Sequence, residues 1–360
     1  MQDFSISNEF PAQNPEILNL EFRGSGSEYF RIWIVNILLT ILTAGIYSAW
    51  AKVRKNNYFY SCTYLAGSSF EYHGNPIAIL KGRVVAVLLL LGYNLAFHHS
   101  VGIGFLVVLL LAAIAPFLVW KSLQFKLYNS SFRGIRFGFR GDAKSAYLVY
   151  LLWPLLSMLT LYTLVPFSHY RIKQFQHNES RFGNSYFSFS GNAGQFYKAY
   201  LLCLGVFIGG VVALTMAFGT AVLAAIFSLG QSTEVGAGLG FVSIILYFIS
   251  LYVWIFAIYP IFMSMIQNLI WNETQLGKHQ FRSNLHWLNM AGIMLSNIVL
   301  IALTLGLFTP FAQIRLLRYR IESMQMLVNG NLDEFINDSQ AQIDATGEGV
   351  ADLLDFDLSL

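Results

Sequence analysis

The side chains of this chain best suited to chemistry are its seven histidines: His73, His98, His99, His169, His177, His279 and His286. Metal-assisted hydrolysis would need two of them one helical turn apart, with a carboxylate completing the ligand set. No pair has that spacing, and no nearby carboxylate joins them. His98 and His99 fall in a tight turn between two apolar segments and read as solvated. His169 and His177 lie eight positions apart, which is wrong for adjacent ligands on one helical face, so interfacial hydrogen bonding is expected. Cys62 and Cys203 sit in a loop and inside an apolar segment, which makes neither a disulfide framework nor a metal cluster. The glycines form no phosphate loop and no dinucleotide fingerprint. Gly205–Gly209 and Gly236–Gly240 have helix-packing spacing, the first inside an apolar segment and the second at a boundary. No catalytic, cofactor-binding or metal residue is therefore assigned, no cofactor is expected, and the chain is not expected to be an enzyme.

The elements around these residues are apolar. Of 360 residues, 56% are hydrophobic and 11% charged, with a mean hydropathy of +0.54. Seven apolar segments run at about 32–48, 84–99, 101–120, 146–165, 199–229, 239–260 and 287–309. Runs near 20 residues match the ~30 Å hydrocarbon core of a bilayer. None of the seven contains Asp or Glu. A buried carboxylate is the usual mark of proton or cation coupling, so its absence argues against a proton-driven transporter. It leaves open a passive path, a lipid-handling groove, or a site built from neutral groups such as Asn36, Asn94, Asn289 and Asn297. The net charge of +3, with cations at segment ends, is a membrane-anchoring pattern and not a nucleic-acid stripe.

Polar blocks recur between the segments. "AWAKVRKNNYFYSCTYLAGSSFEYHGN" (49–75), "PFLVWKSLQFKLYNSSFRGIRFGFRGD" (116–142), "PFSHYRIKQFQHNESRFGNSYFSFSGN" (166–192) and "PIFMSMIQNLIWNETQLGKHQFRSNLH" (260–286) align without gaps. One column holds Thr63, Ser130, Ser180 and Thr274; another holds Phe70, Phe137, Phe187 and Phe281. A third ends in Gly74, Gly141, Gly191 and, against the pattern, Leu285. A weaker copy begins at 310, and "LEFRG" (20–24) looks like the tail of another. Internal repetition at this level predicts a repeat architecture. Each block reads as an amphipathic helix, a turn, and a short strand with one aromatic face. Interfacial packing is the first reading; assembly into a small sheet or platform beside the spans is the second.

These features predict an all-α polytopic membrane protein of about seven transmembrane helices, with internal repeats and short interfacial aromatic, β-like blocks. The expected units are a polar tail 1–19, a first repeat unit 20–141, a second 142–285, a truncated third 286–330 and an acidic flexible tail 331–360. Within that tail, a short amphipathic stretch is expected near Val350–Phe356. Seven full crossings put 14 Lys and Arg on one side and 8 on the other, which places the C-terminus in the cytoplasm. Arg171, Lys173 and Arg181 strain that arrangement, because they would be external while sister blocks are cytoplasmic. A rival arrangement makes segments 1, 4 and 7 re-entrant, each broken at "TAGIYSAW", "TLYTLVPF" or "TLGLFTPF".

The stretch 42–74, with Phe22–Arg23–Gly24 before it and Thr304–Pro310 after, resembles the signature of the YjgN family of bacterial inner-membrane proteins. Ala44 and Ala49 depart from its usual Leu and Pro. The likeness covers about 18–320 and implies a bacterial inner membrane; it carries no catalytic residues. The expected partners are the lipid bilayer and a membrane protein or a second copy, with no nucleic acid. The expected role is transport or translocation of a small or lipid-like solute, with a structural or partner-binding scaffold as the alternative.

Overall fold

The computed structural model of the protein describes residues 15–228 and 234–346. Its chain alternates strand pairs with helical pairs. The order is β1 (Glu16–Phe22), α1 (Gly26–Leu42), α2 (Ser48–Ser61), β2 (Thr63–Leu65), β3 (Ser68–Tyr72), α3 (Pro76–His99) and α4 (Val101–Tyr128). Then come β4 (Ser130–Phe132), β5 (Ile135–Phe139), α5 (Ala143–Tyr147), a π-helical turn (Leu148–Leu152), α6 (Trp153–Leu159) and α7 (Val165–Asn178). After β6 (Ser180–Phe182), β7 (Ser185–Phe189), α8 (Ala193–Ser228) and α9 (Glu234–Asn272), the chain continues with β8 (Thr274–Leu276) and β9 (His279–Ser283). It ends in α10 (Trp287–Leu303), α11 (Thr309–Glu322), β10 (Met324–Val328) and α12 (Leu332–Thr346).

Each polar block is a helix end followed by a β-hairpin. Ala66–Gly67 and Arg133–Gly134 take positive φ at both turn positions, the conformation that suits a two-residue hairpin. In the next two blocks, Gly183 and Gly277 supply positive φ at the first turn position instead. The hairpins pair edge to edge: Phe70 faces Phe132, Phe137 faces Phe182, and Phe187 faces Leu276. β10 then pairs with β9 and with β1, so the first and last strands complete a closed antiparallel barrel of ten strands. Closure leaves no open edge.

The column of glycines now has a cause. A Cβ on Gly141 or Gly191 would lie 2.7 or 2.5 Å from a ring carbon of Phe139 or Phe189, two residues earlier. Gly24 and Gly74 meet Phe22 and Tyr72 in the same way. In the fourth block Ser283 replaces the aromatic, and Leu285 is then accommodated and buried. The next residue caps the following helix: Ser25, Asn75, Asp142 and Asn192 each accept from a backbone N–H two or three residues on.

The barrel overturns the all-α, seven-crossing expectation. All strand pairs belong to one barrel, so each helical pair leaves the barrel and returns to it. Every pair must therefore cross a membrane twice or not at all. α3, α4, α8 and α9 are long and apolar enough to cross. The first, fourth and seventh apolar segments fold back on themselves at Thr43–Tyr47, Thr160–Leu164 and Thr304–Phe308. Helices pack on their sequence neighbours, and α11 packs back against α1, which closes the helical ring below the barrel. Residues 16–22 form a barrel strand, and 332–346 form a helix. The stretch Val350–Phe356 lies outside the described residues.

Candidate functional site

Alternation along the strands sends one face of each into the barrel, and on that face the aromatic column forms a ring. Phe70 and Phe132 have centroids 4.7 Å apart, Phe137 and Phe182 5.1 Å, and Phe187 and Phe281 6.1 Å. Phe132 and Phe182, both buried, are each worth roughly 1.5–3 kcal/mol through area alone. A layer nearer the helices is formed by Phe22, Tyr72, Phe139 and Phe189, all buried. Phe139 meets Phe175 of α7 edge-on at 5.3 Å, and Phe189 meets Phe196 of α8 at 6.3 Å.

Above the phenylalanine ring is a hollow of about 150 Å³ with a wholly apolar lining. Phe137, Phe187, Trp271 and Leu276 bound it from the barrel side, while Leu332, Phe335 and Ile336 of α12 cover it. An apolar hollow of about this size stays dry and takes up apolar molecules. α12 is held at its start by Arg133, whose guanidinium pairs with Asp333 and donates to Ser68 Oγ at 2.8 Å and to Ala66 O at 3.1 Å. Asn329 reinforces the junction by donating its side-chain amide to Lys278 O at 2.7 Å.

His279 is fully buried beneath this cover, with its ring 4.6 Å from that of Phe335. Its Nδ1 accepts from Asn329 N at 3.2 Å, which fixes the neutral ring, and Nε2 has no partner. Burial, then the neighbouring Lys278 charge, push its pKa below the ordinary histidine value. His177 packs edge-on against Trp271, and its Nδ1 lies 3.1 Å from Thr274 Oγ1. Burial, then the Lys173 charge, lower it to about 4. Sequence spacing pointed to neither residue as part of one assembly; the barrel brings His177, Trp271 and Phe281 together.

The remaining candidates are scattered. His169 bonds Tyr200 Oη at 3.0 Å, and His73 bonds Ser131 Oγ at 2.8 Å. His98 and His99 are exposed at the end of α3, and His286 is exposed just before α10. Cys62 and Cys203 are unpaired, and no group of three or more metal-ligating side chains occurs among the described residues. Gly205 and Gly209 face open space, whereas the neighbouring Gly210 lies against Trp254 of α9. Gly236 and Gly240 fall in α9. Asn94 and Asn289 are exposed, Asn36 and Asn297 buried.

Comparison with known proteins agrees with the helical part of this picture. The family described as "Bacterial protein of unknown function (DUF898)" matches residues 17–353. The inner membrane protein YjgN of Salmonella typhimurium is 32% identical over 155 residues, 43% of this chain and 39% of that protein. Its Escherichia coli K12 counterpart is 32% identical over 144 residues, 38% of this chain and 35% of that one. The matches thus span well under half the length of these curated relatives. No solved structure matches the chain. Four helices of spanning length and relatives named for the inner membrane make it a membrane protein.

Proposed function

We propose, for a chain that belongs to the DUF898 family of bacterial proteins, a role in holding a lipid-like molecule at the surface of the inner membrane, without a catalytic step. The observation that carries this reading is the barrel hollow, lined by carbon on every side and covered by α12. An acyl segment entering it would displace no well-bonded water, and the phenylalanine ring would surround it. The helices serve as the anchor. α3/α4 and α8/α9 cross as two hairpins, making the protein multi-pass, and the three shorter hairpins dip into the bilayer from the barrel side. Exposed Leu42, Leu161 and Leu305 at their tips suit that depth.

Charge supports a cytoplasmic barrel. Stretches 84–120 and 199–277 contain no Lys or Arg, so all 22 cations lie toward the barrel; cytoplasmic loops carry such an excess. The end of α12 is then cytoplasmic as well. A cysteine at Ser100, with Cys62 and Cys203 replaced, should label from outside intact cells. One at exposed Tyr186 should label only after permeabilisation, and the reverse result sinks this placement.

Trp271 reports on the hollow. A brominated alkyl chain that enters it quenches Trp271, read as wild type minus Trp271→Phe. Filling the hollow with Leu276→Phe should abolish the quenching. If the chain binds without quenching Trp271, the barrel is not the site. A scaffold role is the second reading, favoured by α8 and α9: at 36 and 39 residues they are about 54–58 Å long. That exceeds the ~30 Å needed to cross and leaves a length of hairpin for a partner.

A further inference from the structure

A second hollow, of about 500 Å³, lies along α1 and α2 and shares no lining residue with the barrel. Trp33, Asn36, Lys52 and Lys55 border it, joined by Arg83 from α3 and Gln313 from α11. Three cations line it and no carboxylate does. Two of the cations, Lys55 and Arg83, are steadied by neutral acceptors rather than neutralised. Lys55 Nζ donates to Gln313 Oε1 at 3.2 Å, Tyr29 Oη donates to the same oxygen at 3.1 Å, and Arg83 bonds Ser48 Oγ.

Asn36 is 8% exposed, and its Oδ1 has no hydrogen-bond partner. The corresponding residue of the last hairpin, seven positions before Thr304 as Asn36 is before Thr43, is Asn297. There Oδ1 accepts from Arg315 at 2.8 Å, and Nδ2 donates to Ala312 O at 3.2 Å. Arg54 holds the position equivalent to Arg315 but is exposed, and Asn36 Oδ1 is buried without a donor. A buried acceptor without a donor is costly, and here it borders a groove of uncompensated positive charge.

We propose that this groove binds a phosphate ester with a neighbouring hydroxyl or ammonium group. Lys52, Lys55 and Arg83 take the phosphate oxygens, and Asn36, which borders the groove, turns its side-chain amide so that Oδ1 accepts from the hydroxyl or ammonium. Charge-assisted bonds to phosphate are the strong kind, and Arg83 can make them in pairs. Trp33, Ile37 and Ile41 give the groove an apolar margin. Two sources have this chemistry: a phospholipid headgroup arriving along the bilayer, or a soluble polyol phosphate. The site goes beyond the barrel reading and does not depend on it.

The test uses the full chain in a non-ionic detergent and measures Kd for dihexanoyl phosphatidylglycerol. The comparison lipid is dihexanoyl phosphatidylmethanol, equal in charge but lacking the headgroup hydroxyls. The glycerol lipid should bind more tightly, and Asn36→Leu should erase that preference. Lys52→Gln and Arg83→Gln should each weaken both lipids about fivefold, the usual value of one cation near anionic lipid. Lys52 is exposed, so its substitution keeps the test valid if Arg83→Gln fails to fold. Displacement by glycerol 3-phosphate at comparable concentration assigns the soluble source, and failure to displace assigns the lipid. Leu276→Phe should leave this binding intact while abolishing Trp271 quenching, which separates the two sites. Unaltered binding in Lys52→Gln and Asn36→Leu, or no binding of any of the three probes, overturns the assignment.

Discussion

The first and last short hairpins, α1/α2 and α10/α11, have the same turn and different interiors. At the turn, Thr43 and Thr304 donate to Leu39 O and Leu300 O, and each Oγ1 accepts from the N–H four residues on, at 2.9 and 3.0 Å. Ala44 and Leu305 have φ of 49° and 48°, and Gly45 and Gly306 both have φ of 93°. The threonine ends one helix and starts the next, so the fold-back is set locally and leaves the interior free to differ. In the last hairpin the interior is satisfied by Asn297 and Arg315; in the first, Asn36 borders a cationic groove. One pair reads as structural, its counterpart as shaped for something absent from the chain itself.

Substituting the two asparagines puts the largest strain on that contrast. Asn297→Leu removes two hydrogen bonds from a buried site and takes an acceptor from Arg315, at an expected cost of about 2 kcal/mol. Asn36→Leu removes an acceptor that has no partner, so stability should be unchanged or raised by up to about 1 kcal/mol. Unfolding in mixed micelles reads both; equal losses would erase the distinction. Next come the arginines. Arg315→Ala deprives Asn297 Oδ1 and Ser296 Oγ of a donor, but its own guanidinium is exposed, so about 1 kcal/mol is expected. Arg54→Ala should fall within about 0.5 kcal/mol of wild type.

The fold-back was partly visible in the sequence. "TAGIY", "TLYTL" and "TLGLF" mark breaks, yet each apolar segment is also long enough to cross, and length cannot separate a span from a dip. The cations Arg171, Lys173 and Arg181 were the better signal, since they place that block with its sisters. The barrel was harder to see. Phe70, Phe137, Phe187 and Phe281 align in sequence and do share the interior, but the first strand of each hairpin has three residues, too short to show alternation. The turns hide as well, because glycine comes second in Ala66–Gly67 and first in Gly183–Asn184. Closure depends on β1 meeting β10, and no local pattern reports a contact between residues 16 and 328. The groove was legible only as Asn36 itself; its cations come from two elements, Lys52 and Lys55 from α2 and Arg83 from α3.

The middle short hairpin, α6/α7, sharpens the claim that the turn is local. Leu161 and Tyr162 occupy the two turn positions with φ of 51° and 65°, so Tyr162 stands where glycine stands in the other two. A left-handed conformation costs a non-glycine residue roughly 1–2 kcal/mol. Gly306→Ala should lose about 1 kcal/mol, and Tyr162→Gly should gain up to about that much. Were both changes neutral, the turn would be dictated by packing around it and not by its own residues.

Acid supplies the smallest effect and leaves both hairpins out of it. His279 favours the neutral ring in the folded barrel, so the unfolded chain binds more protons wherever the two states differ. Its contribution is therefore complete above the ordinary value of 6.5 and fades as pH falls below it, toward the depressed folded pKa. The expected change is under about 1 kcal/mol per pH unit, below the upper bound of about 1.36 kcal/mol for one proton. Hydrogen exchange of the α12 amides should accelerate between pH 6.5 and 5 relative to those of α10, after correction for intrinsic rates, and His279→Gln should flatten that dependence. Exchange that accelerates equally in α10 and α12 would tie the barrel cover to the hairpins. The filled and open interiors could then no longer be treated as local properties.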